Sequence, residues 1–370
     1  MEFIMSIDAL AQTRADFRFL LFGHDTVQCA YYLARGVHCI VDFSEIALHK
    51  ERLRHAKQRE GVVLRYGSQA FKLQAYGSGS GYPFVLENAE LRIECGEFNN
   101  PSFFVTFRSQ ALWQYGTQAL HQRFMQWVDE VGLVSVKPPS LSRVDFTFDY
   151  HLPERDFDLA SFVSLAGKDS QYRENGTEQT FSFGKGDVML RVYDKISEIA
   201  QQSDKVWFFP LWGVEAGVWR IEWQVRKALL KRFGIRTMDD LFERQADCLR
   251  YLAAEHDSIS RPNQDSNRSR WPLHPLWTDL LTQIDALEGL GVYREIDAAA
   301  VLQERLMRVG ISLYGYAKRV AAIECIQQRR DFIDLDETLE RIGRLVYRIH
   351  DAPTWKSDVE KRINDMRLGL

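Results

Sequence analysis

A chain of 370 residues, 45% hydrophobic and 26% charged, is long enough for two or three domains with buried cores. That balance excludes collagen-like and disordered classes, and no stretch approaches the roughly 18 uninterrupted apolar residues of a membrane span. A formal net charge of -4 announces no global attraction to nucleic acid, so any anion binding must come from local clusters.

Met1-Glu2-Phe3 carries an acid where a secretory signal needs a basic patch, so a cytoplasmic location is expected. The cysteines (Cys29, Cys39, Cys95, Cys248, Cys325) are scattered and form no Cys-x-x-Cys pair. Free thiols are therefore expected, not a disulfide framework or a structural zinc site.

In chain order, the pattern predicts a helix over residues 25–35, stopped by Gly36. Strands are predicted at 38–47, 62–66, 70–75, 89–94, 102–107, 142–150, 180–183, 188–195 and 218–225. The glycines at 77–81 lack a dinucleotide-binding spacing and read as a hairpin tip. A second helix is predicted over 117–131, where Leu120, Phe124, Trp127 and Val128 form one apolar stripe. After Gly234 the pattern turns helical, at 239–255, 275–290, 296–309, 313–328 and 335–350, with 257–270 as a polar linker.

The expected class is α+β. Antiparallel-rich sheets with packed helices occupy residues 1–234, and an all-helical C-terminal region for DNA binding or interaction occupies 235–370. Residues 20–133 and 134–234 share short matches in roughly the same order, such as Val41–Phe43 with Val144–Phe146. An internal duplication and a coincidence between sheet sequences both account for them.

No phosphate-binding P-loop, Gly-x-Ser-x-Gly elbow, His-Glu-x-x-His or His-x-His pair is present. Instead, three strands carry their polar residues on one parity. Arg143, Asp145, Thr147 and Asp149 oppose Val144, Phe146 and Phe148, while Arg191, Tyr193 and Lys195 oppose Leu190 and Val192. Arg220, Glu222, Gln224 and Arg226 oppose Trp219, Ile221, Trp223 and Val225. A half-solvated sheet explains the alternation. It does not explain why Arg143, Arg191 and Arg220 each stand two residues ahead of Asp145, Tyr193 and Glu222.

If these strands are neighbours, Asp145 and Glu222 offer hard oxygen ligands for Mg²⁺ or Mn²⁺. Tyr193 offers a phenol, and Lys195 and the arginines offer partners for phosphate oxygens. Those parts suit transesterification of a phosphodiester by the tyrosine oxygen.

The ordered set Arg-x-Asp (Arg143, Asp145), Leu-Arg-Val-Tyr-Asp-Lys-x-x-Glu (190–198) and Arg-x-Glu (Arg220, Glu222) resembles the replication initiation factor family (Rep_trans). That family comprises rolling-circle initiators of plasmids and filamentous phages and related relaxases. The resemblance covers roughly residues 38–232, and Gly81-Tyr82-Pro83-Phe84 is similar to the family's Gly-Tyr-Tyr-Pro-type segment, short of one aromatic.

The resemblance implies sequence-specific nicking and religation of one strand at a replication origin through a covalent 5′-phosphotyrosine. Tyr193 would be the nucleophile, with Arg191 and Lys195 beside it, and Asp145 and Glu222 the metal ligands. Asp149 and Glu198 are further carboxylates, as metal ligands or as salt-bridge partners. A mobilisation relaxase at a transfer origin and a DNA-binding regulator that does not cut are the rival readings.

Tyr314 and Lys318, one helical turn apart, are a second tyrosine–lysine pair, though Leu313, Ala317 and Val320 mark a packing stripe beside them. Tyr193 ranks ahead. Basic residues cluster at 220–236 and again at 305–330. The expected DNA contacts are Arg143, Arg220, Arg226 and Lys227. The expected partner is origin DNA, as a double-stranded site and as a single-stranded or hairpin nick site. A host helicase and a second copy of the chain are further candidates, and no membrane partner is expected.

Overall fold

Two long strands organise the chain. β1 (Arg18–Arg35) and β7 (Leu133–His151) run antiparallel along their whole lengths, from Arg18 opposite His151 to Arg35 opposite Leu133. The computed structural model describes residues 17–55, 62–174, 177–203, 205–287 and 298–367. Residues 1–3, 288–290 and 296–297, which entered the sequence reading, lie outside the described residues.

Between the long strands come α1 (Phe43–His55), β2 (Val62–Tyr66), β3 (Gln69–Leu73), β4 (Phe84–Glu87), β5 (Leu91–Cys95), β6 (Phe103–Phe107), α2 (Ser109–Tyr115) and α3 (Thr117–Glu130). After β7 come β8 (Phe162–Ser164), β9 (Asp169–Glu174), β10 (Thr177–Phe183), β11 (Val188–Asp194), α4 (Lys195–Glu198), α5 (Phe208–Trp212), β12 (Val218–Arg226) and α6 (Lys227–Arg232). Then follow α7 (Met238–Tyr251), β13 (Asp257–Ile259) and α8 (Pro275–Asp285).

Eleven of these strands form one sheet in the order β2-β3-β4-β5-β6-β1-β7-β12-β11-β10-β9, and β8 pairs with β13 apart from it. The α+β class is as expected, and the connectivity repeats. In each half a long strand is laid down first, and the last strand returns to pair antiparallel beside it, β6 on β1 and β12 on β7. Residues 77–81 form the connection between β3 and β4, where Gly81 N–H donates to the Ser78 carbonyl at 3.2 Å.

In the first half, two expected elements take another form. Residues 25–35 are strand, not helix: Val27, Cys29, Tyr31 and Leu33 are buried with period two. Gly36 is not a helix stop, because a Cβ there would meet the Gly132 carbonyl oxygen at 2.8 Å; it lets the ends of β1 and β7 approach. Residues 43–47, expected as strand, begin α1, whose first turn is capped by Asp42, with Ser44 N–H donating to its Oδ1 at 2.8 Å.

One face of the sheet is buried under helices. In the first half Tyr31 packs on Phe124 of α3 (ring centroids 4.5 Å apart) and Phe71 on Trp127 (5.3 Å). In the second half Trp223 packs edge-on to Trp277 of α8 at 5.6 Å, and its indole N–H donates to Asp257 Oδ2 at 2.9 Å. Among the described residues, one compact unit ends at 287 and the other runs over 298–367. Helices α7 and α8 belong to the sheet-bearing unit, where the sequence reading began a separate helical region at 235, because their apolar stripes complete its core.

The second unit holds α9 (Ala298–Gln328), α10 (Leu335–Ile349) and α11 (Ala352–Arg367). Where two helices were expected, α9 is continuous. Glu324 of α9 accepts from Arg341 of α10 at 2.6 Å, while Leu306, Leu313 and Tyr316 stay exposed. No helix among the described residues is long and apolar enough to cross a membrane.

The buried face sets two expectations for stability. Trp223→Ala removes a side chain with no solvent exposure and the Asp257 bond, so urea unfolding should show a loss of about 3–5 kcal/mol. His24 sits between Thr117 Oγ1 (2.8 Å) and Gln245 Oε1 (3.0 Å), and burial lowers it from 6.5 to about 4. The unfolded chain takes up that proton first as pH falls, so the His24 contribution is complete above pH 6.5 and drains away towards pH 4. Urea midpoints at pH 7 and pH 5 should differ less in His24→Gln than in the parent chain.

Candidate active site

The three polar strands are adjacent, in the order β7-β12-β11. Register then brings their side chains into rows across one face. Thr147, Glu222 and Arg191 lie opposite one another, as do Asp149, Arg220 and Tyr193, and Asp145 lies opposite Gln224. Directly opposed residues have Cβ atoms about 5 Å apart. Chain-distant residues thus meet without any loop having to close over them.

At the centre, Tyr193 O–H donates to Glu222 Oε2 at 2.8 Å, and Arg191 Nη2 donates to Glu222 Oε1. Arg191 Nε is buried without a hydrogen-bond partner, a spare donor beside the phenol. Arg143 forks onto Asp145, with Nε to Oδ1 at 2.7 Å and Nη2 to Oδ2 at 2.5 Å. Burial pushes Asp145 up to about 6; Arg143 opposes this and the Glu222 charge adds to it. Tyr193 is 8% exposed, and burial followed by the Glu222 charge holds its phenol well above the ordinary value of 10. It borders an open polar pocket of about 390 Å³.

Lys195 is 1% exposed and pairs with Glu198, its ammonium 5.5 Å from the Tyr193 ring centre. Burial, and then the Arg220 charge, lowers its pKa. The other end of the same face is closed. Arg220 has no solvent exposure and forks onto Asp149 (2.6 and 2.8 Å), while its Nη1 reaches Asp25 at 2.8 Å. Trp212 N–H donates to Asp149 at 2.8 Å, and the Phe208 ring lies 4.5 Å from the guanidinium carbon.

The expected site residues therefore separate into two groups. Asp145, Arg143, Glu222, Arg191, Tyr193 and Lys195 converge. Arg220, expected to contact DNA, and Asp149, expected to ligate metal, are instead committed to each other under α5, because Phe208 and Trp212 exclude solvent there. Arg226 is exposed at the end of β12, directly opposite Arg143, and Lys227 starts α6. Tyr314 lies in the second unit, 53% exposed, with Lys318 Nζ 4.3 Å from its ring centre.

Asp25 escaped the sequence reading. It accepts from Arg220, from Ser109 at 2.8 Å and from Lys205 at 2.9 Å. Burial works against its charge, but Arg220, Lys205 and Lys195 hold its carboxyl well below the ordinary range. Its signal was present: a lone acid inside an apolar run of aromatic and β-branched residues.

A divalent ion is the cofactor the sequence implies, and its fit is partial. Among the described residues no group of three or more His, Cys, Asp or Glu is placed to hold a metal. Asp145 and Glu222 are two carboxylates on neighbouring strands whose mutual repulsion a cation relieves. Mg²⁺ is commonly held by one or two carboxylates completed by substrate phosphate and water.

Residues 105–244, which include all three polar strands, match a family model for the N-terminal region of a replication-associated protein. Over this segment the chain is similar to a replication-associated protein. A solved structure, the rolling circle replication initiator protein from Geobacillus stearothermophilus, is similar at a TM-score of 0.42 and 18% identity, covering 75% of this chain and 100% of that chain. No curated protein matches the chain in sequence.

Removing one member of a buried ion pair leaves the others uncompensated, at a cost of about 3–5 kcal/mol. Arg220→Met should lower the urea unfolding free energy by that order, whereas a residue that only touched DNA would leave it unchanged.

Proposed function

We propose that this chain initiates rolling-circle DNA replication by nicking and rejoining one strand at an origin. The observation that carries the reading is the Tyr193 hydroxyl held at 2.8 Å on Glu222, with Arg191 on the same carboxylate and a spare Arg191 donor beside it. The match over residues 105–244 supports the same reading.

In this reaction Tyr193 Oη attacks the phosphorus of one phosphodiester and its proton passes to Glu222. The bond to the departing 3′ oxygen breaks and that oxygen takes up the proton held by Glu222, leaving a free 3′ hydroxyl and a 5′ phosphate joined to Tyr193. The reverse transfer to another 3′ hydroxyl rejoins the strand and frees the phenol. Arg191 meets the non-bridging oxygens where negative charge accumulates. Lys195, whose burial disfavours its charged form, lies 5.5 Å from the ring centre and would be a second proton carrier. Asp145 and Glu222 are the residues to hold Mg²⁺ or Mn²⁺, which when bound neutralises charge at the phosphate. Arg143 and Arg226, opposed on β7 and β12, would track the strand beyond the site; two like charges facing each other favour an anion between them.

The test is covalent adduct formation. Supercoiled DNA carrying the coding region and its flanks should be relaxed with Mn²⁺ and not with EDTA, leaving protein joined to a 5′ end. Tyr193→Phe should abolish the adduct and Tyr314→Phe should keep it; the opposite pattern overturns the assignment.

A further inference from the structure

The pocket beside Tyr193 is lined by two chemically different sets of residues. One is the phenol and Arg191, suited to phosphate. The other lining residues are Tyr172, Gln179, Gln201 and Gln202, with Thr180, Asp194 and Glu198. A carboxylate is a poor partner for a phosphate, and amides serve a phosphate only through their donors. They are good partners for the edge of a nucleobase, where donors and acceptors stand side by side.

We infer that this pocket takes the base of the nucleotide next to the scissile phosphate and reads its edge through the glutamine amides. The inference rests on the nicking reading of Tyr193 and adds the source of base preference at the cut.

Three features place the base there. Tyr193 and Tyr172 both lie opposite Thr180, on its two sides, so they stand two strands, or about 10 Å, apart. A single nucleotide spans that gap with its phosphate at Tyr193 and its base over the Tyr172 ring, which is 53% exposed. The amides come from separate elements: Gln179 from β10, and Gln201 and Gln202 from the wide π-type turn Ile199–Ser203 that follows α4. Gln201 Nε2 donates to Gln179 Oε1 at 3.4 Å, which sets the two amides side by side. A volume of about 390 Å³ is within the range of small-ligand sites. An amide that pairs bidentately distinguishes donor–acceptor order, and one good pair is worth about tenfold or more between bases.

The experiment uses the full chain and the nick mapped on the supercoiled substrate. Single-stranded oligonucleotides carrying each of the four bases at the nucleotide on either side of the nick are compared for kcat/KM of adduct formation with Mn²⁺. The parent chain should prefer one base by about tenfold at one of the two positions. Gln179→Ala and Gln202→Ala should flatten that preference and leave preferences elsewhere in the oligonucleotide in place, which a merely structural role would not do. Tyr172→Ala should raise KM for all four bases together. Equal rates for all four bases at both positions in the parent chain, or a preference that survives both glutamine substitutions, overturns the inference and leaves the nicking reading standing. Absence of any adduct in the parent chain removes both.

Discussion

The polar face is organised by a guanidinium that never meets water. Arg220 projects from β12 into a space closed by Phe208, Trp113 and Trp212, and its donors are taken by Asp149 on β7 and Asp25 on β1. A charge in such a place is stable only when it is paired and its hydrogen bonds are satisfied. The network satisfies them by joining three neighbouring strands at one point. Tyr193 stands directly opposite Arg220 on the next strand, so the phenol is set on a rigid base and not on a loop.

From that base outward the charges become progressively less committed. Lys195 is buried and paired with Glu198; Arg143 is forked onto Asp145; Arg191 bonds Glu222 and keeps Nε without a partner; Arg226 is exposed. The gradient runs from structural ion pairs, which cannot be exchanged for a ligand, to cations that can accept one. It explains how a chain with a net charge of -4 can still present a local face suited to phosphate. It also separates the two arginine–carboxylate patterns that look alike along the strands. Arg220 and Asp149 hold the sheet, whereas Arg191, bonded to the buried Glu222, lines the pocket.

Strand parity was legible because it is local. Alternation in 142–150, 188–195 and 218–225 gave each strand one polar side, carrying Asp145, Arg191 with Tyr193, and Glu222 respectively, and the pairing of β7, β12 and β11 put those sides on one face. β1 was misread because its neighbour Gly36 imitated a helix stop, when that glycine serves the approach of two backbones. Asp25 went unseen for the same reason: a residue assigned to a helix could not be placed beside Arg220.

Local pattern alone therefore determined the α+β class, the polar strands, the amphipathic helix over α3 and the motif order that resembles a replication family. These depend on periods of two and 3.6 residues, which any short window contains. Tertiary structure alone decided which end of each polar strand is covered by Phe208 and Trp212 and which end opens on a pocket. It also drew α7 and α8 into the sheet-bearing unit. Both outcomes depend on contacts between residues far apart in the chain, and alternation carries no information about what lies above a strand.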